Sequence, residues 1–211
     1  ERAIGELDEA VQLADRCGSV PFRALGRSNR GEALVQLGRY DEAVADLDEA
    51  RSLFQWAGSA MELFPLIQLA EVQAIRGNTV LARAYYEDAI RIAEASTDVQ
   101  GLVDALAGLA ALVAEADPAE ARLLARRATA LDGAVAHPRA ILAEARAALA
   151  GGAVDEATAL TTRAIDLGRD RRDLRTLAEA VELGARLEPD ERRRESLLVE
   201  ASSIWEQLHA P

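Results

Sequence analysis

Gly31-Glu32-Ala33-Leu34-Val35-Gln36-Leu37-Gly38-Arg39-Tyr40-Asp41-Glu42-Ala43 reads as the end of one helix, a tight turn and the start of the next. Gly38 supplies the positive φ with which a chain leaves a helix, and Asp41 and Glu42 sit where the second helix's dipole is positive. Past the turn, Ala43, Leu47 and Ala50 stand at i, i+4 and i+7 and form one apolar stripe. Small residues at both ends of the stripe let two helices approach closely. The unit is a helical hairpin.

Outward from this hairpin the pattern recurs. Ala10, Ala50, Ala89, Ala128, Ala164 and Ala201 follow one another at steps of 40, 39, 39, 36 and 37 residues. A period in the range of about 20–50 residues marks an array of supersecondary units, each burying its apolar face against its neighbours. The second copy carries Leu66, Leu69-Ala70, Gly77-Asn78, Ala82, Tyr86 and Ala89. The third carries Leu106, Leu109-Ala110, Ala121, Ala125 and Ala128, with Pro118 at the first turn of its second helix, where a missing N–H costs nothing. The fourth carries Ile141, Ala145, Ala148, Gly151-Gly152, Ala157, Thr161 and Ala164 after His137-Pro138, and the fifth Ala180, Leu183-Gly184, Leu187, Pro189, Leu198 and Ala201. The turns of the third and fifth copies read as shorter than the others.

At Gly31, Leu34, Gly38, Tyr40, Ala43, Leu47 and Ala50 the spacing resembles that of the tetratricopeptide repeat (TPR) family. The resemblance implies an all-α fold, a right-handed α-solenoid of TPR-like hairpins with about eleven helices. Residues 1–17 then form the second helix of a truncated repeat, with Ala3, Leu7 and Ala10 in the slots of Ala43, Leu47 and Ala50, and its first helix upstream. Repeats follow at 20–57, 60–95, 99–132, 137–168 and 173–208, the last with the closing helix, as one continuous domain. Arg27 and Arg30 occupy first-helix positions that are usually apolar, so the first full repeat is expected to be distorted at its start. The family binds its partners on a concave wall made by the first helices. By that spacing the wall includes Asn29, Glu32 and Gln36, then Phe64, Gln68, Glu71 and Ile75, then Arg139, Leu142 and Arg146.

Composition agrees with helices packed through small residues: half the chain is apolar and only 4% aromatic. The net charge of −12 repels phosphate backbones, which argues against nucleic-acid contact by this chain. All 24 cationic residues are Arg. The single Cys17 excludes an internal disulfide and fits a cytoplasmic setting. No apolar run approaches the ~20 residues of a membrane span. The start Glu1-Arg2-Ala3 is neither a signal peptide nor a translation start, which suggests a piece of a longer protein. Cutting an array leaves apolar ends, here Ala3, Leu7 and Val11, through which a homodimer could form.

Chemistry is sparse. One Cys, two His and no phosphate-binding glycine loop leave no catalytic, cofactor or metal site to expect, and His137 and His209 have no ligand-spaced partner. Asp8 with Glu9, and Asp46 with Asp48, read as carboxylates on solvent-facing arcs. The runs Arg169-Asp170-Arg171-Arg172-Asp173 and Arg192-Arg193-Arg194-Glu195 read as local salt bridging rather than phosphate sites. Trp56 and Trp205 read as packing residues on second helices. A TPR specialisation that captures C-terminal carboxylates uses Lys, Asn and Arg, of which Asn29 alone matches here.

The last stretch, Leu197-Leu198-Val199-Glu200-Ala201-Ser202-Ser203-Ile204-Trp205-Glu206-Gln207-Leu208-His209-Ala210-Pro211, resembles the closing helix of the helical tails of large multidomain bacterial regulators of LuxR-type and STAND-like organisation. That resemblance implies a sensor arm, binding a protein or peptide segment or a small-molecule inducer and acting on attached signalling and DNA-binding domains. The alternative is a passive scaffold or self-association module attached to a different effector domain such as a protease.

Overall fold

The computed structural model describes residues 2–131 and 137–209, without the side chains of Arg2, Ala3 and His209. Ala3 and His209 thus fall outside what the side-chain description covers. Among the described residues there are eleven α-helices and no strand: α1 (Arg2–Cys17), α2 (Val20–Gln36), α3 (Tyr40–Trp56), α4 (Leu63–Ile75), α5 (Thr79–Ser96), α6 (Val99–Val113), α7 (Pro118–Leu131), α8 (Pro138–Ala150), α9 (Val154–Arg171), α10 (Leu174–Leu187) and α11 (Glu191–His209). The helices fall into two compact units, residues 1–105 and 106–210, with the boundary inside α6.

The hairpin turns form as the glycines require. Gly38 has φ +72°, and the turn closes with Arg39 N–H donating to Leu34 O at 2.9 Å and Gly38 N–H to Val35 O at 3.0 Å. That pair of bonds is a Schellman cap, which satisfies carbonyls the helix end leaves open. The same pair recurs at Gly77 and Gly152. Helix starts are capped by aspartates: Gly101 N–H donates to Asp98 Oδ1, Glu120 N–H to Asp117 Oδ1, Thr176 N–H to Asp173 Oδ1 and Arg193 N–H to Asp190 Oδ1. The third hairpin turn, residues 114–117, is one residue longer than the first rather than shorter, and the fifth, residues 188–190, equals it.

In the first unit, α2 packs on α3 and α4 on α5, and the hairpins join through α3 with α4 and α2 with α4. Ala43, Leu47 and Ala50 are fully buried, as are Ala82 and Ala89 one repeat later. Close approach has a visible cause at Gly31, where a Cβ would lie 2.6 Å from Leu47 Cγ. In α1 the buried stripe is Ile4, Val11 and Ala14, whereas Ala10 is exposed. The helix packs on α2, so its burial follows the α2-facing side and not the slot that the repeat assigns to Ala10. Val11, expected among the apolar ends, lies under Gly26 of α2 instead.

Arg27 and Arg30 do not distort the first hairpin; they fasten it. Arg30 grips Asp46 of α3 with Nε to Oδ2 at 2.5 Å and Nη2 to Oδ1 at 2.7 Å, and reaches Asp8 of α1 with Nη1 at 2.7 Å. Arg27 adds Asp46 at 3.2 Å and Glu49 at 2.9 Å. Hydrogen bonding to Asp46 holds the Arg30 guanidinium above its usual range against partial burial, and Asp8 adds to it. Asp46 is only 5% exposed, so it is not the solvent-facing carboxylate its neighbour Asp48 suggested. Two arginines at apolar slots are accommodated because the helices on either side, α1 and α3, both supply acids to them.

In the second unit, α8 packs on α7 and α9, and α10 on α8, α9 and α11. Its core is divided among Ala107, Ala110, Ala125 and Ala143, then Ile141, Leu142, Ala145, Ala164, Ala180 and Leu183, then Leu177, Ala178, Val181, Ala201 and Ile204. Arg122 of α7 pairs with Glu156 of α9, and Arg169 of α9 with Glu200 of α11 at 2.6 Å, linking successive second helices. Of the arginine runs, the first thus supplies an ion pair through Arg169, whereas in the second Arg194 donates to the backbone carbonyls of Glu188 and Pro189, just past the end of α10, instead of forming a salt bridge among the described residues.

Candidate partner-binding cleft

Packing brings first helices side by side within each unit, α2 with α4 and α8 with α10, and their outward residues form the candidate surfaces. In the first unit that surface is made by α2 and α4. Asn29, Glu32 and Gln36 are exposed on α2, and Phe64 and Ile75 on α4. Gln68 is half-buried, with an Oε1 that finds no hydrogen bond among the described residues. Glu71 is buried and partnered within the protein. The seven residues share two neighbouring helices, α2 and α4, which pack on each other.

In the second unit the first helices do enclose a cavity, of about 330 Å³, lined by α6, α8 and α10. Its floor is Ala111, Ala114, Leu149 and Leu183, and its charged walls are Glu115, Arg146, Glu179, Glu182 and Arg186. Arg146 donates to Glu179 Oε2 at 2.9 Å, and Arg175 stands 3.5 Å from Glu179 Oε1. Glu182 instead accepts from the Trp205 indole N–H at 2.8 Å, a neutral donor that fixes the carboxylate without cancelling its charge. Of the three residues expected here, Arg146 lines the cavity, Arg139 is half-buried on α8 and Leu142 is sealed in the core at 1% exposure. Leu142 therefore presents nothing to a partner.

Sequence reasoning missed Glu115, Glu179, Glu182 and Arg186. A signal for three of them was present: Arg175, Glu179, Glu182 and Arg186 advance by four, three and four residues, one charged row along a first helix. The wall residues expected from the spacing lie in the first, second and fourth repeats, whereas Glu115 belongs to the third and the charged row to the fifth.

The two tryptophans part company. Trp205 packs beside Leu177, Val181 and Ile204, as expected of a packing residue. Trp56 is 78% exposed at the end of α3, and Phe54 takes the buried place against Ala24 and Ala50. Among the described residues no group of three or more His, Cys, Asp or Glu side chains is placed to hold a metal, and no helix is long and apolar enough to cross a membrane.

A family model for the tetratricopeptide repeat matches residues 20–95. No curated protein matches the chain closely enough to serve as a relative. Among solved structures it is similar to BtubC (BKLC) from P. vanneervenii, at 16% identity over 100% of this chain and 92% of that one, with a TM-score of 0.69. A kinesin-light-chain-like protein of Podosopora anserina with nearly identical TPR-like repeats is 17% identical over 90% of this chain and 98% of its own, with a TM-score of 0.57. Yeast Tom70 is 16% identical over 98% of this chain and 44% of its own, also at 0.57. At such identities the likeness speaks to fold. Residues 20–95 thus match the tetratricopeptide repeat family, and the chain as a whole carries the all-α fold of TPR-like hairpin arrays.

Proposed function

We propose that this chain is a non-catalytic arm that binds a protein or peptide segment through the faces of its first helices, within a larger bacterial signalling or transcriptional regulatory protein. The observation that carries the reading is the cleft of α6, α8 and α10: three successive first helices contribute an apolar floor and fixed polar groups to one cavity. Cavities of about 300–1,000 Å³ with apolar lining and a few placed polar groups are the usual form of a binding site. Alanines at the helix contacts permit the closeness that makes a continuous wall. Asn29, Glu32, Gln36, Phe64, Gln68, Ile75 and Arg139 extend the reading to the other first-helix faces.

Site-specific photo-crosslinking in the full-length protein tests it. A photoreactive residue in place of Leu149, on the cleft floor, is expected to capture a polypeptide. The same residue in place of Leu123, exposed on the second helix α7, is expected to capture far less. Equal capture at both positions, or none at Leu149, refutes binding through the first helices. The regulatory role predicts in addition that Leu149→Arg alters the response of the full-length protein; an unaltered response removes that part of the reading.

A further inference from the structure

We infer that the cleft of α6, α8 and α10 receives a lysine or arginine side chain from an extended basic peptide segment, an inference that rests on the peptide-binding reading above. The floor of Ala111, Ala114, Leu149 and Leu183 suits the methylene stem of such a side chain, which covers apolar surface while its charged head stays near the rim. The walls supply the complement to that head. Glu179 is already answered by Arg146 and Arg175. Glu182 is not: its partner is the uncharged Trp205 N–H, so the carboxylate is oriented yet keeps its full charge. Glu115, exposed at the other side of the cleft, forms no ion pair among the described residues, so two carboxylates remain unneutralised across one cavity.

Arg186 is the remaining cation of the lining, and it has its own place in the argument. It stands four residues after Glu182, the spacing of an intrahelical ion pair, but forms no ion pair with it and is exposed. It leaves Glu182 open to an incoming cation. With Arg146 committed to Glu179, the lining carries three acids against two bases, and the net charge of −12 on the whole chain steers a basic segment toward it. An acidic segment would meet both unneutralised carboxylates.

The test uses Trp205 as the reporter. In the Trp56→Phe background it is the sole tryptophan, and it touches Glu182. Three pools of blocked hexapeptides, basic, neutral and acidic, are titrated into the protein while its emission is followed. The basic pool is expected to bind with a salt-sensitive affinity that falls about tenfold or more in Glu182→Gln, with a smaller fall in Glu115→Gln. Glu182→Gln keeps an oxygen for the Trp205 N–H, so a loss of binding reports charge and not unfolding. Neutral or acidic pools binding as well as the basic one, or basic binding indifferent to both substitutions, overturn the inference and leave the peptide-binding reading standing. Binding of spermine as tight as that of the basic pool overturns the peptide source. Binding of none of the pools removes both.

Discussion

Replacing Gly31 by alanine sets helix propensity against packing, and the structure says which prevails. Gly31 lies mid-helix in α2, where alanine is favoured by about 0.8–1.0 kcal/mol. The added Cβ would sit 2.6 Å from Leu47 Cγ, 2.7 Å from Leu47 Cδ2 and 3.4 Å from the Ala43 carbonyl. Leu47 is fully buried and its Cγ is the branch point, so rotation of the terminal methyls cannot relieve the clash; χ1 or the helix itself must move. Overpacking of this kind costs about 1–3 kcal/mol, leaving a net loss of about 1 kcal/mol, or about 2–4 °C in Tm for a chain of this length. Gly5 of α1 is the control, since nothing lies within 4 Å of its would-be Cβ; Gly5→Ala should stabilise by about 0.5–1 kcal/mol. Urea titrations followed by far-ultraviolet circular dichroism measure both. In a Leu47→Ala background, itself about 2–5 kcal/mol destabilised, the Gly31→Ala penalty should vanish. Gly31→Ala stabilising as much as Gly5→Ala, or a penalty undiminished without Leu47, refutes the close-approach argument.

Asp46→Ala leaves Arg27 and Arg30 half-buried without their shared acceptor and is expected to cost about 3 kcal/mol or more, read as a large drop in urea midpoint; a change below about 0.5 kcal/mol would show the network to be ornamental. Arg172 ends α9 at φ +56°, a left-handed conformation costly for a side chain, so Arg172→Gly should raise stability by up to about 1 kcal/mol, and a drop in Tm would contradict it. The Arg39 guanidinium, hydrogen-bonded to Glu42, holds that carboxyl below its ordinary value of 4.5. A carboxyl depressed in the folded state contributes above its unfolded value and loses that contribution as pH falls through the folded one. Carbon NMR titration should therefore place the Glu42 midpoint below 4.5 in the native protein and return it toward 4.5 in Arg39→Ala; coincident midpoints would dismiss the pair.

How far the fold could be read varied with what each residue needs. Gly38 and the alanine stripe speak through local chemistry, a positive φ and a small volume, and both are legible in one sequence. Ala10 shares the period of Ala50 and Ala89 but is exposed, because burial depends on which neighbour a helix meets, and α1 meets α2. Arg30 looked misplaced because its partners, Asp8 and Asp46, are 22 and 16 residues away, beyond any helical spacing. The candidate cleft was reached through Arg146 alone. Glu182 could be seen in the charged row of α10, but its orientation depends on Trp205, which only the packing of α11 on α10 brings to it.

The Schellman caps at Gly38, Gly77 and Gly152 have a consequence for how such a chain can change length over evolutionary time. Each cap is closed by bonds between residues three and five apart, so no hairpin borrows its turn from another. A duplicated or deleted segment of 39 residues, the step from Ala50 to Ala89 and from Ala89 to Ala128, carries its own turn intact across the junction. Recombination in that register preserves local folding, while the first-helix residues that meet a partner remain free to diverge from copy to copy.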